Sequence, residues 1–212
     1  MEHKKLFIFD VDGTLVNSYA AIAKSLNFTR KRFRHPAVSP AKVKRSVGRG
    51  DKLFIDTFFA ADEAQKALAI YRSHHRRALI QYAKLYPRVI TVLSTLRRRG
   101  KILAVASNRP ARFTDILLKG LKIKEYFHAV YCGDTIKSLK PDPKILQIIM
   151  HRFGFKASDT VYIGDMGIDM QTAQAAGIDA IFKKGGSSTP AEVKKYKIAK
   201  VITHLEELLS LK

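Results

Sequence analysis

Residues 7–15 read Phe7-Ile8-Phe9-Asp10-Val11-Asp12-Gly13-Thr14-Leu15, an apolar run that ends in two carboxylates one residue apart and then in Gly-Thr. Alternate side chains of a strand point the same way. Asp10 and Asp12 can therefore meet at the carboxyl end of a strand, where open α/β sheets bind ligands. Two carboxylates held that close repel each other unless a cation joins them. Mg²⁺ suits hard oxygen ligands beside a phosphate. A surface Asp-Gly turn is the plainer alternative for the same residues.

Three later clusters weigh against the plain turn. Ser107-Asn108 follows the apolar run Ile102-Leu103-Ala104-Val105-Ala106. Lys140-Pro141-Asp142-Pro143 follows the run around Val130 after a short loop. Gly164-Asp165 ends Thr160-Val161-Tyr162-Ile163, and Asp169 lies four residues further on. Strands are expected at 5–10, 101–106, 128–132, 160–164, 178–182 and 198–202. Helices are expected at 88–99, 110–119, 142–153, 168–176 and 204–210. That alternation predicts a parallel, doubly wound sheet. Residues 17–85 read as helical, with no convincing strand. Ser18 is the expected N-cap of a helix to about Phe28, and Ser39-Pro40 gives a second start with serine at N-cap and proline at N1. Asp51 and Asp62 start two more helices.

The ordered set Asp-x-Asp-Gly-Thr, then Ser, then Lys, then Gly-Asp-x-x-x-Asp resembles the haloacid dehalogenase-like superfamily, specifically its phosphatases. The likeness spans nearly the whole chain. It implies an α/β fold: a Rossmann-like three-layer core with a parallel sheet, made by residues 1–16 and 86–212. It also implies an inserted α-helical cap, residues 17–85, hinged near Val16-Asn17-Ser18 and Tyr86-Pro87. The implied activity is Mg²⁺-dependent hydrolysis of a small phosphate monoester through an aspartyl-phosphate. Asp10 would be the nucleophile. Asp12 would protonate the leaving oxygen and then take a proton from water. Lys140 would neutralise the phosphoryl group. Ser107 and Asn108 would bind phosphate oxygens, and Thr14 would orient a carboxylate beside them. Asp165 would be a direct metal ligand, with Asp10 and the Asp12 carbonyl. Asp169 would hold the metal's waters or orient Lys140.

The run from Asp12 to Ser18 looks like the phosphoglycolate phosphatase branch, with Asn17 where that branch usually has Asp. Met166-Gly167 also depart from the Ser/Thr often found there. In Gly48-Arg49-Gly50, Arg49 is the candidate to grip a substrate carboxylate or second phosphate bidentately; a plain surface turn is the alternative.

The chain of 212 residues has 39 Lys and Arg against 18 Asp and Glu, for a net charge of +21. Residues 17–85 alone hold fifteen basic residues against four acidic ones, a surplus of eleven. A basic polyanion- or nucleic-acid-binding protein on the same scaffold is the alternative class. The densest run, Arg30-Lys31-Arg32-Phe33-Arg34-His35, carries one interleaved aromatic where single-strand binders use several. A solvated basic face that also steers small phosphorylated metabolites is therefore favoured. A phosphotransferase or nucleotidase with the same machinery is the other alternative.

Adjacent His74-His75 would point apart on a helix and make no metal set. The single cysteine, Cys132, excludes an internal disulfide and reads as a buried, inert thiol, which suits a cytoplasmic protein. No stretch approaches the roughly 18 apolar residues of a membrane span. A monomer or weak dimer is expected.

Overall fold

The computed structural model describes residues 3–210. Strand β1 (Leu6–Phe9) leads to β2 (Val16–Asn17) and then to four helices, α1 (Tyr19–Arg32), α2 (Pro40–Ser46), α3 (Gly50–Asp56) and α4 (Ala61–Tyr82). The chain returns through β3 (Lys84–Leu85) and α5 (Val89–Arg98). It continues as β4 (Ile102–Ser107), α6 (Ala111–Gly120), β5 (Ala129–Cys132), α7 (Gly133–Ile136) and α8 (Lys144–Phe153). The last elements are β6 (Thr160–Gly164), α9 (Gly167–Ala175), β7 (Asp179–Lys183), α10 (Pro190–Val193) and β8 (Lys200–Ile202).

Six strands form one parallel sheet in the order β5-β4-β1-β6-β7-β8. The winding reverses at β1, which lies between β4 and β6. Phe9 sits opposite both Val105 and Ile163. That register brings the residues just past three strand ends side by side, at the switch point where such sheets bind ligands.

Strand periodicity divides the core. Phe7 and Phe9 point to one face with Leu103 and Val105, under α5 and α6. Leu6 and Ile8 point to the other with Ala104, Ala106 and Tyr162, under α8 and α9. Each of these large side chains contributes roughly 1.5–3 kcal/mol on full burial. Helices α1–α4 pack around a separate cluster that includes Ile22, Leu26, Val43, Phe54 and Tyr71.

Several local expectations are corrected. Ser18 occupies the N-cap of α1 without a side-chain cap bond, because its hydroxyl turns to the Asp12 carboxylate. Ser39 does cap α2, accepting from the Lys42 N–H at 3.3 Å. Asp51 lies in the first turn of α3 rather than at its cap, and it pairs with Arg72 on α4 at 2.7 and 2.9 Å. The 17–85 segment carries short strands at its two ends. Val16 pairs with Leu85 and Asn17 with Lys84, antiparallel. Two residues are too few to show a period. The expected helix 204–210 is a 3₁₀ turn, Leu205–Leu209, which buries Leu205 and Leu208. Side chains three apart share one side of a 3₁₀ turn.

Candidate active site

Asp10 leaves β1 with its N–H bonded to the Ile163 carbonyl at 2.9 Å, which locks the strand end in place. Lys140 reaches it from the loop before α8, where the Lys140-Pro141 bond is cis. The Lys140 ammonium donates to Asp10 at 2.7 Å, to Asp169 at 2.6 Å and to the Tyr162 hydroxyl at 2.9 Å. Its three donors are thereby filled. Burial alone would lower the Lys140 pKa, but Asp10 and Asp169 outweigh it and hold the ammonium charged. Asp10 is raised well above the ordinary carboxylate value, chiefly by burial; Lys140 opposes the rise, and Asp169 and Asp165 add to it.

Asp165 follows β6. Thr14 donates to its Oδ1 at 2.9 Å, while Tyr19 and the Ser187 N–H donate to its Oδ2 at 3.2 and 2.7 Å. Burial, and next the nearby Asp169, push this carboxyl up to about 7. Asp169 accepts from the Met166 N–H at 3.0 Å with one oxygen and from Lys140 with the other. Asp10, Asp165 and Asp169 each offer an oxygen within 4.8 Å of the others. Three buried carboxylates share one ammonium, so full ionisation of the three leaves negative charge over, and burial holds Asp10 and Asp165 toward their protonated forms until a cation offsets it. An all-oxygen, anionic set of this kind fits a hard divalent cation.

Gly13 makes the crowding feasible. Its φ is +88°, and a Cβ there would lie 2.3 Å from an Asp165 oxygen.

Asp12 points away from this cluster, toward Arg109, which grips it at 2.8 and 2.6 Å. Asn108 ties three segments together. Its amide accepts from the Lys140 N–H at 2.8 Å and donates to the Gly48 carbonyl at 2.8 Å. Ser107 Oγ accepts from the Arg109 N–H at 3.1 Å. Above these groups lies a cavity of about 50 Å³. Its floor includes Asp10, Asp12, Ser107, Asn108 and Lys140; its roof includes Ile22, Val47, Phe54, Tyr71 and His75.

Asp10, Thr14, Lys140, Asp165 and Asp169 thus form one cluster, and Asp12, Ser107 and Asn108 join Asp10 and Lys140 in the cavity lining, the Asp12 carboxylate being turned to Arg109 instead of to Asp10. Arg49 does not join them: it is exposed, and only its neighbours Gly48 and Gly50 line the cavity. Sequence reasoning missed Arg109, Tyr162, Tyr19, Ser187 and His75. Adjacency to Ser107-Asn108 signalled Arg109, and a hydroxyl inside an apolar strand signalled Tyr162. The two histidines do not point apart. His74 and His75 both bring Nδ1 to Ser25 Oγ, at 3.2 and 3.0 Å. Cys132 is buried as expected, and burial raises its thiol to about 11.

The haloacid dehalogenase-like hydrolase family model matches residues 7–183. The chain belongs to that family. It is 34% identical over 195 residues to a phosphoglycolate phosphatase of Rhodospirillum rubrum, covering 87% of this chain and 81% of the relative. It is 31% identical over 206 residues to a phosphoglycolate phosphatase of Colwellia psychrerythraea, covering 92% and 91%. The crystal structure of a predicted phosphoglycolate phosphatase from Haemophilus somnus superimposes with a TM-score of 0.91 at 25% identity, over 98% of this chain and 97% of that one. The chain is therefore a phosphoglycolate phosphatase-like hydrolase, an enzyme of the phosphatase type with a buried carboxylate triad suited to a divalent metal. Among the described residues no helix is long and apolar enough to cross a membrane.

Proposed function

We propose that the chain hydrolyses a small phosphate monoester, phosphoglycolate-like in size and charge, in two steps on Asp10 with Mg²⁺ as the metal. The observation that supports this best is the buried contact of Lys140 with both Asp10 and Asp169, beside Asp165 and beneath the cavity. Asp10 attacks phosphorus while the bond to the leaving oxygen breaks, and Asp12 gives that oxygen a proton. An aspartyl-phosphate remains. Water then attacks phosphorus, Asp12 takes the water's proton, and Asp10 is released with inorganic phosphate. Splitting one difficult displacement into two is the advantage of a covalent route.

Ser107 and Asn108 bind the phosphoryl oxygens, and Lys140, held by Asp10, Asp169 and Tyr162, neutralises their charge from beside them. Thr14, Tyr19 and the Ser187 N–H orient Asp165 rather than the substrate. Asp10, Asp165 and the Asp12 carbonyl would hold the Mg²⁺, and Asp169 supports Lys140 beside them. When bound, the ion offsets the charge of the phosphoryl oxygens.

Residues 17–85 form the cap in this reading and 1–16 with 86–212 the core. The paired strands β2 and β3 mark the two crossings, and closure of the roof over the floor excludes water. A panel of phosphorylated metabolites, assayed with Mg²⁺ and after exhaustive chelation, tests the reading. Turnover is expected for small monoesters and only with metal. Undiminished turnover after chelation would remove the metal from the scheme.

A further inference from the structure

Arg109 follows Asn108 at the carboxyl end of β4 and is only 7% exposed. A buried guanidinium must find acceptors for its N–H groups. Nε and Nη2 donate to the two oxygens of Asp12. Nη1 meets Nε2 of His75 at 2.8 Å. A guanidinium can only donate, so this His75 nitrogen accepts and carries no proton. The ring proton is then on Nδ1, facing Ser25 Oγ at 3.0 Å, and the Ser25 hydroxyl donates onward to the Ala21 carbonyl at 2.9 Å. Burial, and next the Arg109 charge, keep the imidazole neutral.

Arg109 therefore has an anionic partner on one edge and a neutral partner on the other. Both Arg109 and His75 line the cavity. The other cation there, Lys140, has all three donors engaged by Asp10, Asp169 and Tyr162. Asp51, also in the lining, is matched by Arg72. What remains is one guanidinium nitrogen held by an uncharged ring. Hydrogen bonds to an ionised acceptor are roughly twice as strong as neutral ones, so an arriving anion displaces the imidazole.

We propose that the Nη1 side of Arg109, now occupied by His75, receives a carboxylate on the leaving-group portion of the substrate and so sets the enzyme's specificity. This rests on the phosphatase reading above and goes further by assigning the second anionic group. A carboxylate fits better than a second phosphate: it is planar like the guanidinium and can meet its edge with two parallel hydrogen bonds. His75 belongs to α4, so its displacement also informs the roof that substrate has arrived.

The test compares 2-phosphoglycolate with ethyl phosphate, in which a methyl replaces the carboxylate. In the wild-type chain, kcat/KM should favour 2-phosphoglycolate by about 10- to 100-fold, the worth of one or two charge-assisted hydrogen bonds. Arg109→Gln should erase most of that preference by raising KM for 2-phosphoglycolate alone. Its loss of the Asp12 contact should lower kcat for both esters alike. Arg109→Lys, which keeps the charge but not the planar edge, should recover part of the preference.

An absent wild-type preference, or an Arg109→Gln variant whose kcat/KM falls by the same factor on both esters, overturns the assignment and leaves Arg109 as a partner of Asp12 only. The wild-type comparison stands even if neither variant folds. If the wild type turns over neither ester, the phosphatase reading fails instead. Calorimetry of both esters on Asp10→Asn and on Asp10→Asn with Arg109→Gln then still reads the carboxylate preference: tighter 2-phosphoglycolate only where Arg109 is kept supports the assignment, and equal binding of the two esters, or a preference that survives Arg109→Gln, refutes it.

Discussion

The backbone N–H of Ser187 donates to Oδ2 of Asp165 at 2.7 Å, although 22 residues separate them. The loop after β7 thus sets the orientation of a carboxylate at the end of β6. Gly186 lets it come that close, since a Cβ there would lie 2.0 Å from the same oxygen. Gly186→Ala should therefore push Asp165 aside. Outer partners of metal ligands typically matter by about 10- to 100-fold in affinity, and a weakening of Mg²⁺ binding in that range is expected. Calorimetric titration with Mg²⁺ measures it; unchanged affinity would show that Asp165 does not hold the ion.

Asp10→Asn should abolish turnover and leave the fold intact, because an amide cannot form the acyl-phosphate. Beryllium fluoride should add to Asp10 in the wild-type chain. An adduct mapped to any other residue refutes the nucleophile.

Lys140 is the group whose loss should harm both stability and chemistry. Removing one partner of a buried ionic set leaves the others uncompensated, at about 3–5 kcal/mol. Lys140→Met should unfold at markedly lower denaturant than wild type. Tyr162→Phe removes only the hydroxyl that meets Lys140, Asp169 and the Ala106 carbonyl. It should cost about 1–2 kcal/mol and lower kcat with little change in KM. A wild-type kcat in Tyr162→Phe would mean that Lys140 holds its position without the hydroxyl.

The parallel sheet was legible because its strands are short apolar runs that end in chemically distinctive residues. Asp10, Ser107 and Asp165 could be placed at strand ends from the runs before them, and β6 falls on the expected residues 160–164. Helix α2 was legible from Ser39-Pro40. What escaped was long-range pairing. Nothing local says that Arg109 will meet Asp12, 97 residues earlier, or that Ser187 will meet Asp165. Ser18 shows the same limit from the other side. Its sequence position is right for a helix cap, yet the nearby Asp12 carboxylate is a stronger acceptor for its hydroxyl than the helix is a partner. Arg49 failed as a cavity residue because it sits at the start of α3 between two glycines of positive φ, Gly48 and Gly50, in a turn that leaves its side chain exposed.

Helix α2 grips the loop after β7 through several surface contacts. Lys44 donates to the Gly185 carbonyl and Arg45 to the Ser187 carbonyl, each at 2.9 Å, and Arg45 also pairs with Glu192. Exposed ionic contacts weaken as salt screens them. Arg45→Ala should loosen the roof, with faster amide exchange at residues 185–188 and a larger radius of gyration. Raising salt on the wild-type chain should move both in the same direction. If neither measure changes in the variant, closure depends instead on the Asn108 bond to Gly48.

Without metal, Asp165 keeps its proton up to about 7 in the folded chain, whereas its ordinary value is 3.8. Between those values the folded state binds more protons than the unfolded state, so this group makes stability fall as pH rises, by about 1 kcal/mol per pH unit. The loss is complete above about 7. His75 acts oppositely, up to its ordinary value of 6.5, because burial lowers its pKa well below that value in the folded chain and only the unfolded state takes up the proton there. The difference between wild type and Asp165→Asn isolates the carboxylate. In chelator, that difference should move against the wild type from pH 4 to pH 7 and then stay level. In the proposed site Mg²⁺ would compete with the proton for the same oxygens, so it should raise the wild-type melting temperature more at pH 8 than at pH 5. Denaturant and thermal unfolding at these pH values measure both effects. A pH-independent difference would mean that Asp165 is already ionised in the metal-free fold, and that the triad needs no cation to offset its charge.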